Sequence, residues 1–370
     1  MTIPKTQKSL VLLEESTPYV ISETPVPRPG PADVLVKIMA CALNPVDWAC
    51  VDPPYSKIFI KSWPFVPGTD GAGRVVEIGA DVQNRKVGDR ILLKGDTGEA
   101  KWATCQQYAI VPAEFTAIIP DTITFDEAAT IPLALITDVL VLYNQSPAPE
   151  NLSLRLKPVW EPEGATAYAG TPAFIIGGAS SLGQYGECRC IPPSTLARMA
   201  GHHPIITTAS PYNASLLVSL GATHVLDRSR SNESILSELP TITGGKAIEF
   251  AFVAVPFYPE ACRLGRDALA PGGALAIVVP HPSRVPEDVA NPGDGKRVGY
   301  VWGSVRLPHT RECGLALFKQ ITGWLEKGLL KPNPVDLLAN GLAGINEGLA
   351  KLKANKVSGK KVVARPQETI

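Results

Sequence analysis

Apolar and polar positions follow one pattern over roughly the first third of the chain and another beyond it. Short apolar runs rich in β-branched residues, broken by Pro and Gly, recur at 34–39, 73–78 and 90–93. Runs of this length and composition predict a mostly β domain with short strands. A longer apolar stretch at 125–143 has the spacing and length of a helix.

From Ala173 onward, apolar runs alternate with longer stretches of mixed polarity. The runs lie at 174–176, 205–208, 224–226, 248–253 and 274–279. This alternation predicts β-α-β units around a parallel sheet, so the predicted fold class is α/β. The stretch at 146–170 is rich in Pro, Glu and Gly, and we interpret it as a surface loop that links the two domains.

The end of the chain returns to a different pattern. Helices are predicted at 315–327 and 345–354, and a final strand is predicted at 361–364, which we expect to pair with the N-terminal domain. A chain of 370 residues exceeds the usual size of a single core, which favours two domains. The predicted domains are residues 1–135 completed by 316–370, and residues 136–315.

Charge and composition narrow the class of partner. Lys plus Arg and Asp plus Glu both number 35, which gives no electrostatic reason to expect nucleic acid or an anionic membrane. The apolar stretch at 131–142 is too short and too polar to span a bilayer, and residues 1–10 lack the apolar run of a secretion signal. The seven cysteines have no regular spacing, which favours reduced thiols. We therefore expect a cytoplasmic protein, either a monomer or a homodimer, with a small-molecule partner.

A glycine-rich turn follows the first apolar run of the second domain. Gly178, Ser180 and Gly183 occupy the spacing G-x-G-x-x-G, with Ser at the second Gly position. Ser181 and Leu182 complete the turn, whose backbone N–H groups and following helix suit a pyrophosphate. Such turns also occur for backbone reasons alone. The place of this one, after an apolar strand and among β-α units, favours a Rossmann-type dinucleotide site.

The end of the next strand bears on the choice of cofactor. It continues through Ser210, Pro211, Tyr212 and Asn213 and contains no carboxylate. Sites that select NAD usually offer an acidic residue here to the ribose 2′-hydroxyl, whereas a small hydroxyl residue leaves room for a 2′-phosphate. NADPH is therefore the predicted cofactor. An ordinary strand-to-turn segment is the alternative interpretation of the same residues.

Four motifs together resemble a known family. They are Asn-Pro-Val-Asp-Trp at 44–48, Pro-Gly-Thr-Asp-Gly-Ala-Gly at 67–73, Val-Gly-Asp-Arg at 87–90 and the glycine-rich turn at 178–183. In order and spacing they are similar to the zinc-independent quinone oxidoreductase and enoyl reductase branch of the medium-chain dehydrogenase/reductase family, including the fungal trans-acting enoyl reductases of polyketide synthesis. The resemblance implies a GroES-like, mostly β catalytic domain and a Rossmann-type, doubly wound cofactor domain.

The resemblance also assigns site residues. Tyr55 lies where some enoyl reductases keep a proton-donating Tyr, although a Tyr beside a site more often serves packing. Residues 44–47 and 137 are implied to lie beside the nicotinamide, 180–183 on the phosphates, 210–213 at the 2′-phosphate, and 357–358 at the edge of the site. The implied cofactor contacts are Asn44, Pro45, Val46, Asp47, Thr137, Gly178, Ser180, Ser181, Leu182, Gly183, Ser210, Pro211, Tyr212, Asn213, Val357 and Ser358.

The metal-ligand positions of zinc-containing relatives are changed in this chain. Those relatives carry Gly-His-Glu where this chain has Gly68, Thr69 and Asp70. No His precedes His202, and the cysteines at 41, 50 and 105 lack clustered spacing, so neither a catalytic nor a structural zinc is predicted. Without a Lewis acid, the chemistry favoured is hydride delivery to an activated C=C bond.

Two stretches depart from the family pattern. Val218 stands where relatives commonly carry a Lys, which removes one partner for a 2′-phosphate. Residues 186–195 interrupt the helix expected after the glycine-rich turn, because Pro192 and Pro193 cannot continue a helix. A genuine insertion and a translated intron end would both produce this break.

Three functions stay open at this point. The first is NADPH-dependent reduction of the C=C bond of an α,β-unsaturated carbonyl compound, and the second is reduction of quinones with the same cofactor. The third is a cofactor-binding protein without turnover. The substrate would be an enone, an enoyl compound or a quinone, either free or carried on a synthase.

Overall fold

The computed structural model describes residues 2–187, 196–255, 258–279 and 282–370. The chain forms two compact units, the first made of Met1–Leu133 with Pro332–Ile370 and the second of Ala134–Lys331. The return to the first unit therefore begins at residue 332 and not at the predicted 316. One helix, Pro308–Glu326, runs without interruption through the predicted boundary and belongs to the second unit as a whole.

The elements alternate along the chain much as the apolar pattern predicts. The strands are β1 (Thr6–Val11), β2 (Val20–Pro25), β3 (Asp33–Ala42), β4 (Asp70–Ile78), β5 (Arg90–Lys94), β6 (Tyr108–Pro112), β7 (Thr116–Ile118), β8 (Ala173–Ile176), β9 (Ile205–Ala209), β10 (His224–Asp227), β11 (Phe250–Val253), β12 (Ala274–Ile277), β13 (Arg297–Tyr300), β14 (Val335–Leu337) and β15 (Lys361–Ala364). The α-helices are α1 (Pro45–Ala49), α2 (Tyr55–Phe59), α3 (Phe125–Ala129), α4 (Pro132–Tyr143), α5 (Ser181–Glu187), α6 (Leu196–Met199), α7 (Ala214–Leu220), α8 (Asn232–Thr243), α9 (Pro259–Ala268), α10 (Glu287–Ala290), α11 (Pro308–Glu326) and α12 (Ile345–Lys353).

The first unit is built around the long strand β3. Its main sheet has the order β14-β15-β3-β4-β5-β7, β6 also pairs with β3, and β1 and β2 form a separate two-stranded sheet. Residues of β3 are buried over most of its length, because β-branched and other apolar side chains pack on a strand that has neighbours along its edges. The last strand, β15, pairs antiparallel with β3, which confirms the predicted pairing with the N-terminal domain.

The second unit contains a parallel sheet of the order β10-β9-β8-β11-β12-β13. Counted along the unit, the strands run 3-2-1-4-5-6, which is the order of a doubly wound Rossmann sheet. Their apolar runs are buried, as expected for strands covered on both faces. The predicted α/β class is confirmed. The winding reverses between β8 and β11, and ligands of such folds bind at the carboxyl ends of the strands at this point.

Two predicted helices differ from the observed ones. The stretch at 125–143 is divided into α3 and α4, because Pro132 starts a new helix at a position that has no N–H bond to lose. After the glycine-rich turn, α5 ends at Glu187 and α6 begins at Leu196. The predicted break at 186–195 falls mostly on 188–195, which lie outside the described residues. Among the described helices, none has the length and apolar character needed to cross a membrane.

The outer edge of β13 is covered by residues 144–156, which we call the edge segment. Tyr300 N–H donates to Leu152 O at 2.7 Å, and Arg297 Nη1 donates to Leu154 O at 3.0 Å. Edge strands present unpaired N–H and C=O groups, and natural proteins often cover them with a loop. The edge segment provides such a cover within the second unit.

The edge segment is also anchored on its other side. Leu154 N–H donates to Val141 O at 2.8 Å, and Leu156 N–H donates to Leu142 O at 2.7 Å, so the segment is bonded to the end of α4. The prediction that 146–170 links two domains is wrong, because the chain enters the second unit at residue 134, before this stretch begins.

Candidate functional site

The glycine-rich turn joins β8 to α5 at the point where the strand order of the sheet reverses. Gly177 has a φ of 86°, a conformation that suits glycine. A Cβ placed on Gly183 would lie 2.4 Å from Gly177 O and 2.6 Å from Gly178 Cα. The first turn of α5 therefore approaches the strand end so closely that only glycine fits at 183. This close approach is the role of the last glycine in a dinucleotide-binding turn.

Ser180 holds this turn in place through its hydroxyl. Its Oγ accepts a hydrogen bond from Gly183 N–H at 3.0 Å and donates to Ala254 O at 3.3 Å. The first bond caps the start of α5, and the second ties the turn to the end of β11. The Ser180 hydroxyl thus has a structural task, and its contact with a phosphate stays a prediction.

The end of β9 lies against the same turn. Gly177 N–H donates to Thr208 Oγ1, and Gly178 N–H donates to Thr208 O, both at 3.1 Å. The chain leaves β9 through Ser210 and enters the 3₁₀ turn Pro211–Asn213. The structure therefore brings the predicted phosphate turn and the predicted 2′-phosphate segment together at the carboxyl ends of neighbouring strands.

A cluster of polar side chains is buried in the first unit, and we call Asn44, Thr69, Asp70 and Lys361 the polar cluster. Lys361 Nζ lies 3.1 Å from Asp70 Oδ2, and these two side chains are 4% and 0% exposed. Lys361 Nζ donates to Asn44 Oδ1 at 2.5 Å, while Asn44 Nδ2 donates to Asp70 Oδ2 at 2.8 Å and to Thr69 Oγ1 at 3.1 Å. Asp70 Oδ1 accepts the backbone N–H of Leu133. Both buried charges are thus paired and hydrogen bonded, as their desolvation requires.

Asp47 is buried beside the polar cluster and binds backbone groups. Its Oδ2 accepts Asn44 N–H at 2.7 Å, and its Oδ1 accepts Gly68 N–H at 3.1 Å. Burial raises the pKa of Asp47 to about 7, with a further rise from the charge of Asp70, although the two N–H donors and Lys361 act in the opposite direction. The side chains of Asn44 and Asp47 therefore bond other groups of the first unit. The sequence did not reveal this arrangement.

The predicted proton donor Tyr55 opens α2 and is partly buried. Its ring stacks on that of Phe59, with 6.3 Å between the ring centroids. This contact agrees with the packing interpretation of Tyr55, and a role in proton transfer stays a prediction. Pro45 and Val46 form the first turn of α1.

The other predicted contacts lie in different elements. Thr137 is buried within α4. Tyr212 is 71% exposed, whereas Asn213 beside it is buried. Val357 and Ser358 are partly buried and lie between α12 and β15. Their contacts with a cofactor likewise stay predictions.

Within the described residues, the cysteines are buried and outside any disulfide: Cys41, Cys50, Cys105, Cys262 and Cys313. A hydrogen bond with the Cys41 side chain and burial both raise the pKa of the Cys105 thiol. Within the residues that the structure describes, no three His, Cys, Asp or Glu side chains are grouped to hold a metal ion. The positions of the zinc-binding Gly-His-Glu motif instead contribute Thr69 and Asp70 to the polar cluster.

Asp138 is a buried acid that the sequence did not single out. It lies on α4 with 1% of its surface exposed, and within the described part of the chain neither carboxyl oxygen has a hydrogen-bond partner. It lines a small cavity whose other walls are apolar: Leu142, Ile175, Leu196, Ala197, Phe250 and Phe252. Burial raises the pKa of Asp138 well above its usual range, because the charged form is disfavoured in such surroundings.

Asp138→Leu is expected to raise the melting temperature, because it removes an unpartnered acid and fills apolar space. The folded-state pKa is raised, so the acid contributes most stability below the ordinary Asp pKa of about 3.9, and this contribution is lost as the pH rises through the folded-state value. The gain in melting temperature should therefore be larger at about pH 8 than at about pH 5.

Asp138→Asn is the matched control for this measurement. It keeps the shape of the side chain and cannot titrate, so it should flatten the pH dependence without filling the cavity. The interpretation of Asp138 fails when the Leu variant melts below the wild type at both pH values.

Comparison with known proteins agrees with this geometry. Residues 30–121 match the alcohol dehydrogenase GroES-like domain. The chain is 28% identical to the dehydrogenase orsE of Emericella nidulans, over 97% of this chain and 99% of that protein. It is 29% identical to a trans-enoyl reductase of Gibberella fujikuroi, over 92% of this chain and 93% of that protein. The likeness therefore extends over both units.

Solved structures share the fold over nearly the whole chain. A Rhizobium etli protein assigned as a zinc-dependent alcohol dehydrogenase matches with a TM-score of 0.76 and 23% identity over 98% of both chains. A quinone oxidoreductase of Pseudomonas syringae matches with a TM-score of 0.72 and 18% identity over 96% of this chain and 99% of that one. The GroES-like match, the 3-2-1-4-5-6 sheet and the full-length relatives agree with the four sequence motifs. The chain is therefore similar to the medium-chain dehydrogenase/reductase family in its motifs, its GroES-like domain and its fold.

Proposed function

We propose that the protein is an NADPH-dependent reductase of the C=C bond of α,β-unsaturated carbonyl compounds. A bound nicotinamide supplies the hydride. In the balanced reaction, hydride adds to the β carbon, a proton adds to the α carbon, and the carbonyl group is retained. The similarity to a trans-enoyl reductase over most of both chains supports this reaction class.

The observation that carries the proposal is the shape of the glycine-rich turn. Its position after β8 is the place at which doubly wound sheets bind their ligands. A Cβ on Gly183 would lie 2.4 Å from Gly177 O, so the turn has no room for a side chain at this position. A dinucleotide fits such a turn, because a pyrophosphate needs close access to the backbone.

We also propose that catalysis does not use zinc. The support is that the side chains of the polar cluster already bond one another. Asn44 Nδ2 bonds Thr69 Oγ1, and the Asp70 carboxylate is neutralised by Lys361. The proposed contact of α1 with the nicotinamide would then rest on Pro45 and Val46, because Asn44 and Asp47 bond groups of their own unit.

Turnover by the purified full chain tests the reaction. We expect NADPH oxidation with small enones, one saturated product per NADPH, and transfer of deuterium from labelled NADPH to the β carbon. Turnover with quinones alone would establish the alternative quinone reductase. Tight NADPH binding without turnover on either panel would establish a binding protein. An enoyl group supplied free and on an acyl carrier then distinguishes a small-molecule substrate from a carrier-bound one.

Ser210→Asp is expected to change the cofactor preference from NADPH to NADH. A carboxylate at the end of β9 repels a 2′-phosphate and accepts a hydrogen bond from a ribose 2′-hydroxyl. We expect the ratio of the two dissociation constants to shift by about ten-fold or more. Fluorescence titration measures it, and Ser210→Asn is the uncharged control. Wild-type protein that binds NADH as tightly as NADPH would show that the cofactor is assigned incorrectly.

A further inference from the structure

The strand next to β9 ends in a basic residue. β10 pairs with β9 in parallel, with Asp227 opposite Ala209. Arg228 N–H continues the ladder by donating to Ala209 O at 3.0 Å. Because a parallel register advances by one residue on both strands, Arg228 lies beside Ser210. Ser210 is the residue at which a 2′-phosphate is expected.

The Arg228 guanidinium makes no ion pair and no side-chain hydrogen bond with another described residue. Its side chain is exposed. Its neighbour Arg230 is different, because Arg230 Nη1 donates to Glu238 Oε2 at 2.6 Å and its other nitrogens bond Ser234. Two residues with the same charge thus differ in what they do: Arg230 holds α8, while Arg228 is available to a ligand.

The preceding acid, Asp227, makes no ion pair with this guanidinium among the described contacts. Asp227 Oδ1 accepts Ser229 N–H at 2.9 Å, and this backbone bond is the largest cause of a lowered pKa of Asp227, to which the charges of Arg230 and Arg228 add. Asp227 therefore bonds the turn that follows β10.

A 2′-phosphate needs a positive partner that the expected position does not provide. Val218 on α7 is 49% exposed and carries no charge. Guanidinium groups bind phosphate oxygens in pairs, and such charge-assisted bonds are among the strong ones. We infer that Arg228 binds the 2′-phosphate of NADPH and supplies the charge that Val218 lacks. This inference rests on the proposed NADPH dependence and assigns the recognition of the 2′-phosphate to Arg228.

Arg228→Gln in the full chain tests the inference. The probes are NADPH, NADH, adenosine 2′,5′-bisphosphate and AMP, titrated against each protein. We expect the variant to bind NADPH and the bisphosphate about ten-fold or more weakly, with NADH and AMP unchanged. Arg228→Lys keeps the charge and should restore part of the affinity. Because Arg228 is exposed, the melting temperature should match that of the wild type.

Arg230→Gln is the matched control, since it removes the same charge two residues away. It should lower the melting temperature and leave the ratio of NADPH to NADH affinity nearly unchanged. Wild-type protein that binds the bisphosphate no better than AMP overturns the NADPH dependence itself, and with it the role of Arg228. Wild-type protein that prefers the bisphosphate, with the same preference in Arg228→Gln, overturns the assignment of Arg228 alone.

Discussion

Lys361→Met is expected to lower the free energy of unfolding by about 3–5 kcal/mol, because it leaves Asp70 as a buried charge without its ionic partner. The same change removes the donor to Asn44 Oδ1. Urea denaturation, read by the fluorescence of the tryptophans, measures the loss. The double variant Lys361→Met with Asp70→Leu removes both charges, and it should recover much of the stability.

Lys353→Met is the matched control in the same unit. Lys353 also pairs with an aspartate, Asp52, at 3.3 Å, but these side chains are 58% and 45% exposed. Exposed ion pairs contribute about 0–1 kcal/mol, so this variant should unfold almost like the wild type. Equal effects of the two lysine changes would contradict the importance of burial in the polar cluster.

Gly183→Ala is expected to weaken NADPH binding by at least about ten-fold. The added methyl group would stand 2.4 Å from Gly177 O, so the turn has to open and its backbone N–H groups move away from the pyrophosphate position. Titration of NADPH against the variant measures the loss. Binding of NADPH and NADH should weaken together, because both carry the pyrophosphate.

Gly323→Ala provides the control for a glycine inside a helix. Gly323 lies in α11, and nothing stands within 4 Å of the Cβ that it would gain. Alanine is favoured over glycine in a helix by roughly 0.5–1 kcal/mol, so this variant should melt slightly higher and bind NADPH unchanged. Unchanged cofactor binding by Gly183→Ala would remove the main support for the proposed function.

Sequence pattern was sufficient for five of the six strands in the sheet of the second unit and for the glycine-rich turn. The strands at 174–176 and 205–208 were predicted within one residue of their observed bounds, because buried parallel strands are almost continuously apolar. The glycine spacing predicted the turn for a related reason, since only glycine tolerates the approach of 183 to 177. Both signals are local in the chain.

The polar cluster and Asp138 had no such local signal. Asn44 and Lys361 are separated by 317 positions, and Lys361 stands in the sequence as one more charged residue before a short apolar strand. Asp138 interrupts an apolar helix, where its charge suggests an exposed position, yet it is buried. Strand β13 also escaped prediction, because a short strand of mixed polarity at a sheet margin has little apolar pattern.

The edge segment has a consequence for self-association. At this edge of the sheet, a second copy could lengthen it only by pairing its own strand with β13. Tyr300 N–H, one of the groups that such a strand would bond, already donates to Leu152 O. The edge segment therefore occupies the position beside β13 that a strand of a second copy would take. We therefore expect that no continuous sheet forms across two copies on this side, and that shortening 144–156 would let copies stack edge to edge or precipitate.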